Sequence, residues 1–426
     1  MSLDSIRARN AADKRAGVKR TYPQHAGKKS GVKSPIAARA ALPTIAPCAH
    51  LGARLAGQPC GSPLLRCGRH GDITARFSSC SGADRCCRGC PDYVAAPKTA
   101  NGATGTVAAR AESAPVAPSV VASLAPRVTQ VDPAKLAHAA DNRKFNCSVL
   151  SHEGRRLMAY RVGWTSSRIH IAELDAGTHQ PTSTKPIELR HPRCAGGQED
   201  PRLFSLAGVP HLAFAGLQWE RGKLIVSQML ARLSPTLTAE RIWEPRYTGR
   251  AYPMEKNWQF FETADDSRAY AVYTIRPHKV LVLDIPAGTA EMIHETDEIP
   301  HDIWPGWALR GGAAPVRVGD EFYCFFHGWR KTPTDKGGGW YDYATGVYTF
   351  SAKRPFTPLR ITREPVWVGD ASKRHLNVTP NKCVLYPSGA IREGEKWIVS
   401  AGSQDSECLI GEFAASDIEA QLEPLA

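Results

Sequence analysis

Five short polar clusters hold the residues with which this chain could do chemistry. In order they are Phe145-Asn146-Cys147-Ser148, Gln198-Glu199-Asp200-Pro201-Arg202, Glu255-Lys256-Asn257-Trp258, Leu309-Arg310-Gly311-Gly312 with Pro315, and Tyr386-Pro387-Ser388-Gly389-Ala390. Two more, Phe326-His327-Gly328 and Ser403-Gln404-Asp405-Ser406, follow downstream apolar runs. Together they supply carboxylates, cations, amides and aromatic rings. A sugar ring asks for that set: paired hydrogen bonds from Asp, Asn and Arg, and an aromatic face such as Trp258 or Trp304.

Cleaving a glycosidic bond requires a protonated carboxyl at the leaving oxygen and a nucleophile on the opposite face. Asp200 is the candidate acid, because the adjacent Glu199 and a buried position would raise its pKa. If water is the nucleophile, a second carboxylate is needed as base, and Glu255 or Asp405 would serve. If inorganic phosphate is the nucleophile, it needs a cationic cradle instead, and Arg202, Lys256, Arg310 and His327 would form one. Taken singly, Asp200-Pro201 also reads as a turn, and each cation as an ion-paired surface group.

The clusters sit at one equivalent place in a repeat. Each precedes a β-branched or aromatic run: Leu157–Arg161, His211–Ala215, Ala269–Tyr273, Phe322–Phe326 and Lys396–Ser400. Most of these runs come after Gly or polar turn residues such as Glu153-Gly154 and Ala207-Gly208, and a third run follows in each copy (Arg168–Leu174, Lys223–Leu230, Lys279–Asp284, Gly346–Ala352, Glu407–Phe413). Such runs are too short for helices and read as strands. Three or four strands in every 45–60 residues suggest the blades of a propeller, so the expected architecture is an all-β, five-bladed propeller; a sandwich or closed barrel are the alternatives. Blade geometry would aim all the clusters at one axial funnel.

Read for organisation, the chain divides into a basic tail (1–47), a Cys-rich module (48–93), an Ala/Pro-rich linker (94–134) and the repeat domain (135–426). The net charge is +13, and ten Lys/Arg against two Asp in residues 1–47 place most of it in the tail. The tail reads as a solvated disordered extension, and nucleic-acid binding by the folded part is therefore weakly indicated. No apolar run approaches a membrane span and the N-terminus lacks the apolar stretch of a secretory signal, so a soluble cytoplasmic protein is expected. Seven of the twelve cysteines are Cys48, Cys60, Cys67, Cys80, Cys86, Cys87 and Cys90. The Cys67-x-x-His70 and Cys87-x-x-Cys90 gaps let two ligands grip one tetrahedral ion, so Cys48, Cys60, Cys67, His70, Cys80, Cys87 and Cys90 are candidate ligands, with zinc the first choice.

Several pieces resemble glycoside hydrolase family 130, the β-mannoside phosphorylases and related hydrolases, and the kindred mannosyltransferases. They are Phe145-Asn146 before Tyr160-Arg161, Glu199-Asp200-Pro201-Arg202, Lys256-Asn257, Pro315 ahead of Phe326-His327-Gly328, and Tyr386-Pro387-Ser388-Gly389-Ala390 leading to Gly402-Ser403-Gln404-Asp405. The resemblance covers about the last 280 residues and implies a five-bladed propeller that acts on β-mannosides with inversion. It implies Asp200 as general acid, acting directly or through a sugar hydroxyl. It further implies Asn146, Arg161 and Asp405 on the mannosyl unit, with Glu199, Asn257 and Trp258 beside it, and phosphate as co-substrate held by Arg202, Lys256, Arg310 and His327. Two segments depart from the family pattern: Arg310-Gly311-Gly312-Ala313-Ala314-Pro315 replaces a Pro-rich run, and Glu255-Lys256-Asn257-Trp258 surrounds the lysine unusually. A hydrolase, a transferase using a sugar phosphate or nucleotide sugar, or a glycan-binding propeller without turnover remain alternatives.

Overall fold

In the computed structural model the described residues are 122–136, 143–164, 166–249, 254–263, 268–333, 339–379 and 381–425, together with a two-stranded hairpin of Arg66–Cys67 and Gly71–Asp72. The tail and, apart from that hairpin's backbone, the Cys-rich module lie outside them, as does the set of candidate zinc ligands.

The described residues from Arg127 onward build five mainly antiparallel sheets. Sheet one is the meander Lys144–His152, Arg155–Val162, Arg168–Leu174 and Pro181–Pro186. Sheet two repeats it with Gly197–Leu206, Val209–Glu220, Lys223–Leu233 and Ala239–Trp243. Sheet three uses Gln259–Glu262, Ala269–Thr274, His278–Asp284 and Thr289–Thr296, plus the short parallel strand Arg246–Tyr247. In the tight turns Glu153-Gly154 (50°, 75°) and Ala207-Gly208 (49°, 71°) both central residues take positive φ, which matches the twist of two-residue hairpins and which glycine supplies without strain at the second position.

Sheet four departs from the expected copy. Ala308–Gly311 and Val316–Val318 share the first-strand position against Glu321–Pro333, which pairs in turn with Gly339–Ser351. Pro358–Thr362, Trp367–Val368, Lys382–Cys383 and the C-terminal Leu422–Pro424 bring this sheet to eight strands. Its central hairpin is thirteen residues per arm.

Sheet five contains Leu385–Glu393, Lys396–Ser403 and Glu407–Ala414, and its fourth strand is Arg127–Gln130, which precedes sheet one in the chain. The repeat domain thus begins before residue 135, inside the stretch expected to be linker. Four residues with a single Val gave too little periodicity to read as a strand, yet they complete the edge of the last sheet.

The arrangement is propeller-like. Successive sheets share apolar clusters: Leu157 and Ile171 with Phe214 and Met229, Leu230 with Tyr273, Tyr270 with Phe322, and Phe325 with Trp397, whose rings lie 5.3 Å apart. Met158 and Tyr160 of sheet one pack on Ile398 and Ile410 of sheet five, closing the circuit. A cavity of about 480 Å³ is lined by the later halves of the first strands of all five sheets, including Ser151, Ser205, Glu262, Arg317 and Arg392. The polar clusters lie at the other ends of those strands. Among the described residues no helix is long and apolar enough to cross a membrane.

Candidate active site

Bulges in the first strands present the polar clusters. The pairing of sheet one slips between Phe145 and Ser148, that of sheet two between Glu199 and Arg202, and that of sheet five between Pro387 and Gly389. Asn146 and Asp200 occupy the first two slips with φ of 51° and 53°, a left-handed backbone unusual for residues other than glycine. A bulge re-aims one side chain out of the alternation of its strand. Here it turns the amide of Asn146 onto the carboxylate of Asp200, with Nδ2 donating to Oδ1 at 2.8 Å.

Asp200 is buried and held from three sides. Besides Asn146, Lys256 Nζ donates to its Oδ2 at 2.8 Å, and Arg161 Nη1 stands 4.0 Å from Oδ1. Arg161 also bridges Glu199 at 2.6 Å, and Lys256 lies 3.8 Å from Glu199. Burial opposes the charge on Asp200, but Lys256, Arg161 and Arg202 outweigh it and hold the carboxyl well below the ordinary carboxylate range. The expected upward shift is therefore reversed: Lys256 and Arg161, distant in the sequence, join Arg202 in stabilising the charge on Asp200. Burial likewise works against the ammonium of Lys256, and Asp200 and Glu199 overcome it to raise its pKa.

Arg202 is a strut rather than a free phosphate ligand. It is 1% exposed. Nε donates to Gly312 O at 2.6 Å, Nη1 to Asp200 O at 3.2 Å, and Nη2 to Asn257 Oδ1 at 2.9 Å, with further bonds to Gly311 O and the Tyr386 hydroxyl. One guanidinium thereby ties four sheets together at the centre. The pair Gly311-Gly312 makes this possible, because a Cβ at 311 would strike Asn257 O and one at 312 would strike Phe325 O. Asn257 (φ 71°) accepts from Arg202 and from Tyr386, so its amide is a brace within the site.

His327 lies across from Arg310 in the strand register and packs against Tyr386 and Tyr343, with ring centroids 4.8 and 6.1 Å away. Burial, reinforced by Arg202 and Lys256, lowers its pKa to about 3. It is a neutral imidazole at physiological pH and not the cation the sequence suggested. Trp258 is also reassigned. It is 1% exposed, packs on Phe260 and Tyr273, and donates to Glu255. The same carboxylate accepts from the Tyr273 hydroxyl at 3.0 Å, so Trp258 and Glu255 belong to the wall between sheets two and three. Trp304 is buried and donates to Thr362 O at 2.7 Å.

Asp405 occupies the turn after Lys396–Ser403, where Gln404 and Asp405 both have positive φ (52° and 50°). Burial pushes its pKa up, and Asp200 adds to the shift; Asn377 Nδ2 donates to it at 3.3 Å. Three contributors escaped the sequence reading: Asn377, Tyr343 and Trp164. Trp164 is 41% exposed, stacks on Phe145 with centroids 6.0 Å apart, and shares Arg161 with it as a cation–π partner. Its place three residues after Arg161, in a Gly-containing turn, was the available signal. Among the described residues, no group of three or more His, Cys, Asp or Glu is placed to hold a metal ion.

No family model matches the chain, and no curated protein matches it. Solved structures do. The β-1,2-mannobiose phosphorylase of Listeria innocua superposes with a TM-score of 0.50 at 17% identity, over 66% of this chain and 91% of that one. The two share a fold. A GDP-Man-dependent mannosyltransferase from Leishmania mexicana aligns at 0.48 with 13% identity (68% of this chain, 90% of that one). A mannose phosphorylase from the same organism, solved with phosphate ion, aligns at 0.45 with 11% identity (71% and 92%).

Proposed function

We propose that the chain is a carbohydrate-active enzyme that phosphorolyses β-mannosides, or makes them in reverse, on a five-bladed propeller whose fourth blade is the enlarged sheet. The observation that carries this reading is the buried carboxylate of Asp200, gripped by Asn146, Arg161 and Lys256. Asn146, Arg161, Glu199 and Asp405 would take the hydroxyls of the mannosyl unit, with Trp164 supplying the aromatic face first sought at Trp258. Lys256 and Arg310 would hold phosphate, with His327 and Tyr386 as neutral donors beside them.

The depressed pKa of Asp200 describes the resting site. An arriving phosphate adds negative charge next to Asp200 and competes for Lys256. Both effects favour protonation of the carboxyl. Phosphate binding would therefore prime the acid. The proton would pass from Asp200, directly or through a sugar hydroxyl, to the glycosidic oxygen. As the C1–O bond breaks, a phosphate oxygen bonds C1 from the opposite face, releasing mannose 1-phosphate of inverted configuration and a shortened sugar chain.

The test is incubation with β-1,2-, β-1,3- and β-1,4-linked mannosides with and without phosphate. Mannose 1-phosphate is expected only when phosphate is present, and is expected to disappear in Asp200→Asn. Free mannose formed without phosphate would replace this reading with hydrolysis, in which Asp405 is the remaining carboxylate to serve as base. Transfer from a nucleotide sugar alone would replace it with a transferase.

A further inference from the structure

The hairpin of sheet four rises from the site and, at thirteen residues per arm, is the longest of the hairpins that join second and third strands among the described residues. Its register runs unbroken from Glu321 opposite Ser351 to Pro333 opposite Gly339. Side chains in such a ladder alternate between faces. His327, Trp329 and Lys331 therefore share a face with Thr345, Tyr343 and Tyr341, paired directly across. That face begins inside the site: His327 touches Tyr386, and Tyr343 stands near enough to Asp405 and Asp200 for both carboxylates to oppose its ionisation. It then leads outward. Tyr343 stacks on His327 at an interplanar angle of 15°, Trp329 faces Tyr341 with centroids 6.3 Å apart, and Lys331 Nζ lies 5.8 Å over the Tyr341 ring. From His327 to Lys331 the strand advances roughly 13 Å.

The opposite face is closed by its own contacts. Arg330 covers Trp307, Arg374 bonds Asp342 at 2.9 Å, and the same arginine covers Trp340. The rings of Tyr343, Trp329 and Tyr341 are only half-buried, so they form a ladder of flat apolar faces with polar tips. Rings of this kind suit sugars, whose C–H faces stack while their hydroxyls reach the tips.

We propose that this face is a track for the acceptor end of an oligosaccharide, so that the enzyme favours chains of three or more sugars over a disaccharide. The proposal rests on the mannoside reading above and extends it. Asn146, Arg161 and Trp164 lie on sheet one and in the turn that follows its second strand, where the transferred sugar would sit. The track leaves the site on the side of sheet four, where the rest of the chain would run.

The test compares β-mannobiose with β-mannotetraose. The wild type is expected to show a higher kcat/KM for the tetraose with phosphate. Trp329→Ala and, separately, Tyr341→Leu are expected to lower the tetraose value at least tenfold more than the biose value. Direct titration of tetraose and biose into Asp200→Asn provides a reading without turnover, and adding Trp329→Ala to it is expected to weaken the tetraose selectively. Equal losses on both substrates, equal affinity for both, or no measurable binding of the tetraose would overturn the track. If no mannose 1-phosphate forms but tetraose binds more tightly than biose in a Trp329-dependent way, the track stands and the phosphorolysis reading falls.

Discussion

At the residue scale the site depends on one carboxylate whose charge is fixed by its neighbours. Lys256→Met removes the strongest of the cations that offset the burial of Asp200. In that variant the Asp200 carboxyl is expected to titrate at higher pH than in the wild type, as read by carboxylate infrared or NMR titration. Phosphorolysis is expected to fall by about a hundredfold or more, since a charge aimed at the reacting groups is lost. The sign for stability follows from the direction of the shift. The folded carboxyl lies below its unfolded value of about 3.9, so the pairing contributes fully above that pH and is lost as pH falls through the folded value. His278 works in the other direction. It is fully buried among Tyr348 and Phe350, and burial lowers its pKa to about 3. Between that value and the unfolded value of about 6.5, the unfolded chain holds the extra proton. Stability should therefore drop on acidification from pH 7 to 5 by about 2 kcal/mol from this group. His278→Phe is expected to flatten that part of the Tm–pH curve; an unchanged slope would assign the acid sensitivity elsewhere.

At the element scale the bulges decide what the first strands present. Gly402, in the second strand of sheet five, lies directly beneath Asn146, and a Cβ there would strike the Asn146 side chain. Gly402→Ala is expected to push the amide off Asp200 and lower kcat/KM at least tenfold. Asn146→Ala should then cost little further activity in that background, because the two changes break the same contact. The strands themselves were legible in the sequence: all five apolar second runs and four of the five third runs lie within observed strands, and the remaining one, Gly346–Ala352, overruns its strand by one residue. The residue types of the site were legible too, since Asp200, Glu199, Asn146, Arg161, Lys256 and Asp405 do converge. Their roles were less so. A positive φ at Asn146 or Asp200 leaves no mark in residue type, and the identity of Arg202 does not reveal that its donors are turned inward to Gly311, Gly312 and Tyr386. Trp258 looked like a sugar platform because only the packing of Phe260 and Tyr273 shows that it faces the wall. The extended hairpin was hidden because its outer arms, Gly328–Pro333 and Gly339–Thr345, mix glycine and charge with the aromatic residues.

At the scale of the whole molecule, sheet five joins the two ends of the domain. Leu409 to Glu412 pair with Gln130 back to Arg127, and Arg156 of sheet one grips Glu393 of sheet five with both carboxylate oxygens at 2.6 Å. A chain starting at residue 135 lacks the outer strand. It is expected to melt roughly 5 °C below one starting at residue 122, as measured by thermal unfolding. Equal melting temperatures would show that the strand adds nothing to closure. The same latch governs how the protein can be made. The last partner of Arg127–Gln130 emerges some 280 residues after it, so a nascent chain carries an open sheet edge through most of its synthesis. A polypeptide stopped before residue 407 would have no half-built site. It would be a sticky arc, and the cell would see it as a substrate for chaperones and proteases.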